Sequence, residues 1–133
     1  MRCIYARGNT IIRKFSLCSF DVKARLFKSY CASFYCSQLW CSYNSACFSK
    51  LQSSYNRIFC SLFKLGRCTS FSQKCIEYGI DCFKGFLRKS VFNFRTRLLN
   101  CDNNLIASIT RSTFFMSCKL TEKWNQLLFT FSL

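Results

Sequence analysis

The sequence contains no proline and no histidine. Average usage would place about six or seven prolines in a chain of 133 residues. Their absence suits uninterrupted helices and argues against a linker-rich layout. Without histidine, the Ser-His and Cys-His couples of nucleophilic catalysis are excluded. The four glycines, Gly8, Gly66, Gly79 and Gly85, each stand alone, so there is no glycine-rich phosphate loop. Acids are scarce as well: Asp21, Glu77, Asp81, Asp102 and Glu122. No two are adjacent, whereas nucleotidyl chemistry needs converging carboxylates that hold two metal ions about 4 Å apart. The expectation is a chain that is not an enzyme on its own, with no catalytic residues, no cofactor and no small-molecule substrate.

Cysteine is abundant, with twelve in the chain, yet no Cys-x-x-Cys occurs. The closest series, Cys31, Cys36, Cys41 and Cys47, steps by five, five and six residues. Five residues turn a helix by about 140°, so neighbours in that series point apart, and structural zinc needs four converging ligands. No metal site is expected. Arg2, Arg7, Arg13 and Lys14 interrupt the first seventeen residues, which leaves no apolar core for a secretory signal. The expected setting is intracellular, in cytoplasm or nucleus, with every thiol reduced and acting as a small hydrophobe. The longest uncharged run, Ser29 to Ser49, is broken by serines, Gln38 and Asn44, and reads as a soluble helix rather than a membrane span.

What is present is core material and positive charge. Half the residues are apolar and sixteen are Phe, which is far from the composition of disordered chains. Twenty Lys and Arg against five acids give a net charge of +15, and such a chain meets polyanions or anionic lipid.

Apolar residues recur at helical spacing and predict an all-α domain of about five amphipathic helices, a small irregular bundle covering 1–133 as one unit. The helices are expected near 2–16, 20–40, 45–65, 82–99 and 121–130, with a further short one near 105–110. Their apolar faces are Ile4, Ile11, Ile12 and Phe15 with Gly8 at a close approach; Val22, Leu26, Phe27, Tyr30 and Phe34; Phe48, Leu51, Tyr55, Ile58, Phe59, Leu62 and Leu65; Phe83, Leu87, Val91, Phe94 and Leu98; and Trp124, Leu127 and Leu128. Ser19 and Asp81 are candidate N-caps and Gly66 a candidate C-cap. Residues 66–80 read as an irregular connection, and 100–104 as a turn.

The charges fall in two stripes. Lys50, Arg57 and Lys64 are spaced seven apart on the third long helix, so they drift by only about 20° per step and lie opposite its apolar face. On the fourth, Lys84, Arg88 and Arg95 fall within about 40° of one another. A basic stripe is ordinarily the solvated back of an amphipathic helix, but such faces usually mix both signs and these do not. The six residues are therefore the candidate nucleic-acid-binding set, contacting phosphates. Arg88 and Arg95 lead it, because guanidinium grips phosphate bidentately. Phe92, beside them, is read as a packing residue rather than a base-stacking one.

The same segments carry a resemblance. Tyr-Ala-Arg-Gly-Asn (5–9), Arg-Lys-Phe (13–15), Cys-Ser (18–19), Asp-Val-Lys (21–23), Leu-Phe-Lys-Ser-Tyr-Cys (26–31) and Gln-Leu-Trp (38–40) open an ordered set. It continues through Leu-Gln-Ser-Ser-Tyr-Asn-Arg-Ile-Phe (51–59), Phe-Leu-Arg-Lys-Ser-Val-Phe-Asn-Phe-Arg-Thr-Arg-Leu (86–98), Lys-Trp (123–124) and Leu-Leu-Phe (127–129). Order and spacing resemble the stretch just after the palm in jockey-like non-LTR retrotransposon reverse transcriptases. The resemblance implies a thumb-like helical fragment that contacts primer–template duplex, RNA or DNA, without sequence preference. It also implies that the paired catalytic aspartates of the palm lie outside this chain. The alternative is a small basic amphipathic-helix protein that binds anionic membrane surfaces or partners.

Overall fold

The computed structural model describes residues 2–66 and 69–129. It is 74% helical, and the described residues contain eight α-helices and no strand. The all-α expectation holds, while the helix count is eight rather than about five. The backbone separates into two compact units, Met1–Tyr35 with Asn44–Lys84, and Cys36–Tyr43 with Gly85–Leu133.

The first unit contains α1 (Arg2–Lys14), α2 (Phe20–Leu26), α3 (Ser45–Leu62) and α4 (Phe71–Glu77). α1 packs on α3 and on the turn that follows α2. Ile4, Gly8 and Ile11 lie one helical turn apart and are buried. Gly8 is needed for the approach: a Cβ there would sit 2.6 Å from Ile58 Cγ2. The core is aromatic. Phe27 meets Tyr55 and Phe59 edge-on at 5.0 and 5.6 Å between ring centres, and Phe59 meets Phe63 at 4.8 Å. Full burial of each such ring stabilises by about 1.5–3 kcal/mol. Tyr55 places its one polar atom by donating from Oη to the Asp81 carbonyl at 2.7 Å, so the buried hydroxyl is satisfied.

The long second helix expected over 20–40 is interrupted. After α2, residues Phe27–Cys31 form a π-helical turn, in which the Ala32 amide reaches back five residues to the Phe27 carbonyl at 3.0 Å. Tyr30, assigned to the apolar face by 3.6 periodicity, lies within this turn and is 55% exposed; Val22, of the same expected face but on the regular helix before it, is 42% exposed. Ser19 occupies the N-cap position without a side-chain cap bond, while Asn44 caps α3 by accepting from the Cys47 amide at 2.9 Å.

α3 ends at Leu62 rather than near 65, and Gly66 is not its cap. Lys64 takes the left-handed conformation, φ 51°, and the Leu65 amide donates to the Cys60 carbonyl at 2.9 Å. That is the six-to-one closure of a Schellman ending, with lysine at the position glycine usually fills. α4 ends the same way with glycine in place: Gly79 has φ 58°, and the Ile80 amide reaches the Cys75 carbonyl at 2.8 Å. α4 itself corrects the reading of 66–80 as irregular. It is only two turns long, with Cys75 its one buried residue, too little apolar periodicity to announce a helix.

The second unit holds most of α5 (Phe83–Leu99), of which Phe83 and Lys84 count with the first, then α6 (Asn104–Arg111), α7 (Thr113–Ser117) and α8 (Lys119–Phe129). Trp124 is 1% exposed and organises this core. Its Nε1 donates to the Gln38 carbonyl at 2.7 Å, and its indole meets Phe94 and Phe115 edge-on. Ser90 Oγ donates to Gln38 Oε1 at 3.2 Å and accepts from Ser37 Oγ at 3.1 Å. The helix expected near 105–110 is α6, with Asn103 accepting from the Leu105 and Ile106 amides. α7, too short for a periodic signal, was not foreseen. The expected end of the last helix at Thr130 lies outside the described residues.

Among the described residues no helix is long and apolar enough to cross a membrane, and no three of Cys, Asp and Glu gather as a metal would require. Cys31 and Cys75 are buried, and burial pushes their thiols up to about 11 and about 12. Cys68 lies outside the described residues.

Candidate nucleic-acid interface

The six cations singled out by their spacing meet three different fates. Lys50 and Arg57 stay exposed on α3. Seven residues separate them, so they stand about 20° apart in rotation and about 10.5 Å apart along the axis. Tyr55, Ile58, Phe59 and Leu62 are buried on the opposite side of the helix. α3 contains no Asp or Glu, so its solvent face is of one sign.

Lys64 is exposed but does not continue this stripe. Seven-residue spacing keeps Lys64 on the stripe only if the helix runs to 65, whereas the chain turns at Lys64 into the left-handed conformation. Lys84, in the first turn of α5, is exposed.

Arg88 and Arg95 are half-buried within the second unit, where both reach α8. Arg88 Nε donates to the Leu127 carbonyl at 2.9 Å. Arg95 Nη1 donates to Asn125 Oδ1 at 3.2 Å, and its guanidinium lies 6.0 Å from the Phe129 ring centre. These bonds satisfy an orphan carbonyl in the last turn of α8 and place cations at that helix's negative end. Both guanidiniums therefore hold α8, a role that spacing within α5 does not show. Phe92, expected to pack, is instead 59% exposed.

Spacing within one helix did not reveal a second cationic feature of the first unit. Phe20, Phe63 and Tyr78 have nearly parallel rings: 3° between Phe20 and Phe63, 24° between Phe20 and Tyr78, and 26° between Phe63 and Tyr78. Lys23 Nζ lies 5.9 Å from the Phe20 ring centre, and Lys74 Nζ 5.8 Å from that of Tyr78. Lys74 is also paired with Glu77, whose hydrogen bond raises the lysine pKa. Three segments contribute these groups, so no window of the sequence contains the cluster.

No family model, curated protein or solved structure matches the chain.

Proposed function

We propose that this chain is a thumb-like fragment of a non-LTR retrotransposon reverse transcriptase that binds primer–template duplex without sequence preference and has no polymerase activity by itself. The observation that carries the reading is the one-signed solvent face of α3, where Lys50 and Arg57 stand exposed on a chain of net charge +15. Two cations about 10 Å apart on a rigid helix suit repeated contact with a phosphate backbone, which positions a protein without reading bases. The helical fold and the ordered resemblance of segments 5–15, 21–40, 51–59 and 86–98 support the retroelement part. Lys64 and Lys84 remain exposed candidates for further phosphate contacts, and Arg88 and Arg95 contribute mainly by fixing α8.

One observation favours a second reading, attachment to an anionic membrane surface. Leu105 and Ile109, one turn apart on α6, are 71% and 52% exposed, and Phe114 and Met116 on α7 are 81% and 63% exposed. Arg111 and Lys119 flank them and are exposed too. Apolar anchors edged by cations are the pattern of interfacial helices.

Competition between a labelled RNA–DNA duplex and phosphatidylserine vesicles separates the two. Duplex binding that survives the vesicles, and weakens when Lys50 and Arg57 are both changed to Gln, is the expected result. Retention by vesicles, lost on changing Leu105 and Phe114 to Ser, would replace the nucleic-acid reading. Primer extension on an RNA template with Mg²⁺ or Mn²⁺ should stay at the buffer control.

A further inference from the structure

The aromatic cluster of the first unit grades from core to surface. Phe63 is 5% exposed, Tyr78 is half-buried, and Phe20 is 56% exposed. The three planes are within 26° of parallel, so the outer rings present their faces in one orientation. Phe20 is held from behind by Tyr78 at 5.4 Å and Phe63 at 6.1 Å. An exposed Phe braced in this way has lost its side-chain freedom already, and ordering a ligand against it costs less.

The surroundings are cationic. Lys23, 8% exposed, keeps its ammonium near the Phe20 ring, and Lys74 keeps its own near Tyr78. Lys28 Nζ comes within 3.9 Å of where a Cβ on Gly79 would be, beside Tyr78. Two acids accompany them: Glu77, which pairs with Lys74, and Asp21, exposed next to Phe20. Three cations against two carboxylates leave a net positive charge beside the exposed Phe20 ring. A flat π-face ringed by ammonium groups matches the unpaired nucleotide, which has a base to stack and a phosphate on either side. A duplex offers no free base face except at its ends, so this surface selects single strands.

We propose that Phe20 and Tyr78, with Lys23, Lys28 and Lys74 around them, form a stacking platform for an unpaired base of single-stranded nucleic acid. This rests on the nucleic-acid reading above but uses a different surface from the α3 face, and takes the strand where it is not paired.

The test compares two probes on the full chain: a twelve-nucleotide oligothymidylate, and a strand of the same length and phosphate count in which every nucleoside is abasic. Stacking on one aromatic side chain is expected to favour the first by about 5- to 150-fold. Phe20→Leu keeps an apolar side chain against Tyr78 but removes the π-face, and should erase that preference while leaving abasic-strand and duplex affinities unchanged. Phe20→Tyr should retain it, and circular dichroism should show both variants folded. Changing Lys50 and Arg57 to Gln should lower duplex affinity and leave the preference for bases in place. Equal affinity for the two single strands, or a preference indifferent to Phe20→Leu, would overturn the platform while leaving duplex binding standing. Failure of the chain to bind either strand or duplex would overturn both readings.

Discussion

Gly8 is the position where one added carbon should reverse an ordinary rule. Alanine in a helix interior is favoured over glycine by about 1 kcal/mol, so Gly8→Ala on α1 would ordinarily stabilise. Here the new Cβ would stand 2.6 Å from Ile58 Cγ2 and 3.1 Å from both Cγ1 and Cδ1. Carbon pairs prefer about 3.5–4.0 Å. Ile58 is 3% exposed, and a β-branched side chain in a helix has essentially one χ1 rotamer, so the clash cannot be relieved by rotation. Overpacking of this kind costs about 1–3 kcal/mol. Net of the helix gain, Gly8→Ala should destabilise by about 1 kcal/mol. Ile58→Ala alone should cost about 2–5 kcal/mol through lost burial and a cavity. In that second background all three crowding atoms are gone, and Gly8→Ala should instead stabilise by about 1 kcal/mol. The sign of one substitution thus depends on the other, a coupling of about 2 kcal/mol. Urea unfolding followed by circular dichroism measures it through the midpoint at constant slope. If Gly8→Ala shifts the midpoint equally in both backgrounds, the packing of α1 on α3 is not as described.

Four other outcomes are expected. Lys64→Gly should raise stability by about 1 kcal/mol, because the left-handed conformation strains any side chain there; Gly79→Ala should lower it similarly, although the nearest atom to its new Cβ is 3.9 Å away. Both are read as urea midpoints. Changing Arg88 and Arg95 together to Gln should cost about 1–3 kcal/mol, since charge-assisted bonds to Leu127 and Asn125 are lost; unchanged thermal stability would mean these arginines are not holding α8. The thiols of Cys31 and Cys75 are raised by burial from an ordinary 9.0 to about 11 and about 12. Their folded forms hold the proton more tightly than the unfolded chain, so this contribution is complete below pH 9 and is lost as pH rises through about 11 to 12. Urea midpoints should fall over that window, and less steeply in Cys75→Ala.

The long amphipathic helices were legible because their apolar residues keep the 3.6 period: Ile4, Gly8 and Ile11 on α1, Tyr55, Ile58, Phe59 and Leu62 on α3, Phe83, Leu87 and Val91 on α5. The breaks were not. A π-helical turn at Phe27–Cys31 leaves no mark in composition, and it interrupts the second helix. A lysine at a left-handed cap breaks the expectation that glycine marks the end, so Lys64 was placed on a stripe it leaves. Of the candidate site, Lys50 and Arg57 were readable because both lie within one helix. The roles of Arg88 and Arg95 against α8 depend on a partner more than thirty residues away, as does the ring cluster of Phe20, Phe63 and Tyr78, and single-helix periodicity cannot see such pairings.

If the exposed cations of α3 contact a phosphate backbone, duplex binding weakens steeply as salt rises. Each phosphate neutralised contributes about −0.9 to the slope of log K against log salt on B-DNA, so three to five contacts give a slope of about −3 to −5. Changing Lys50 and Arg57 to Gln should flatten that slope by about two, with circular dichroism and urea midpoint unchanged because both side chains are exposed. A double variant whose slope and affinity equal those of the parent chain would contradict the claim and leave duplex binding to bulk charge alone.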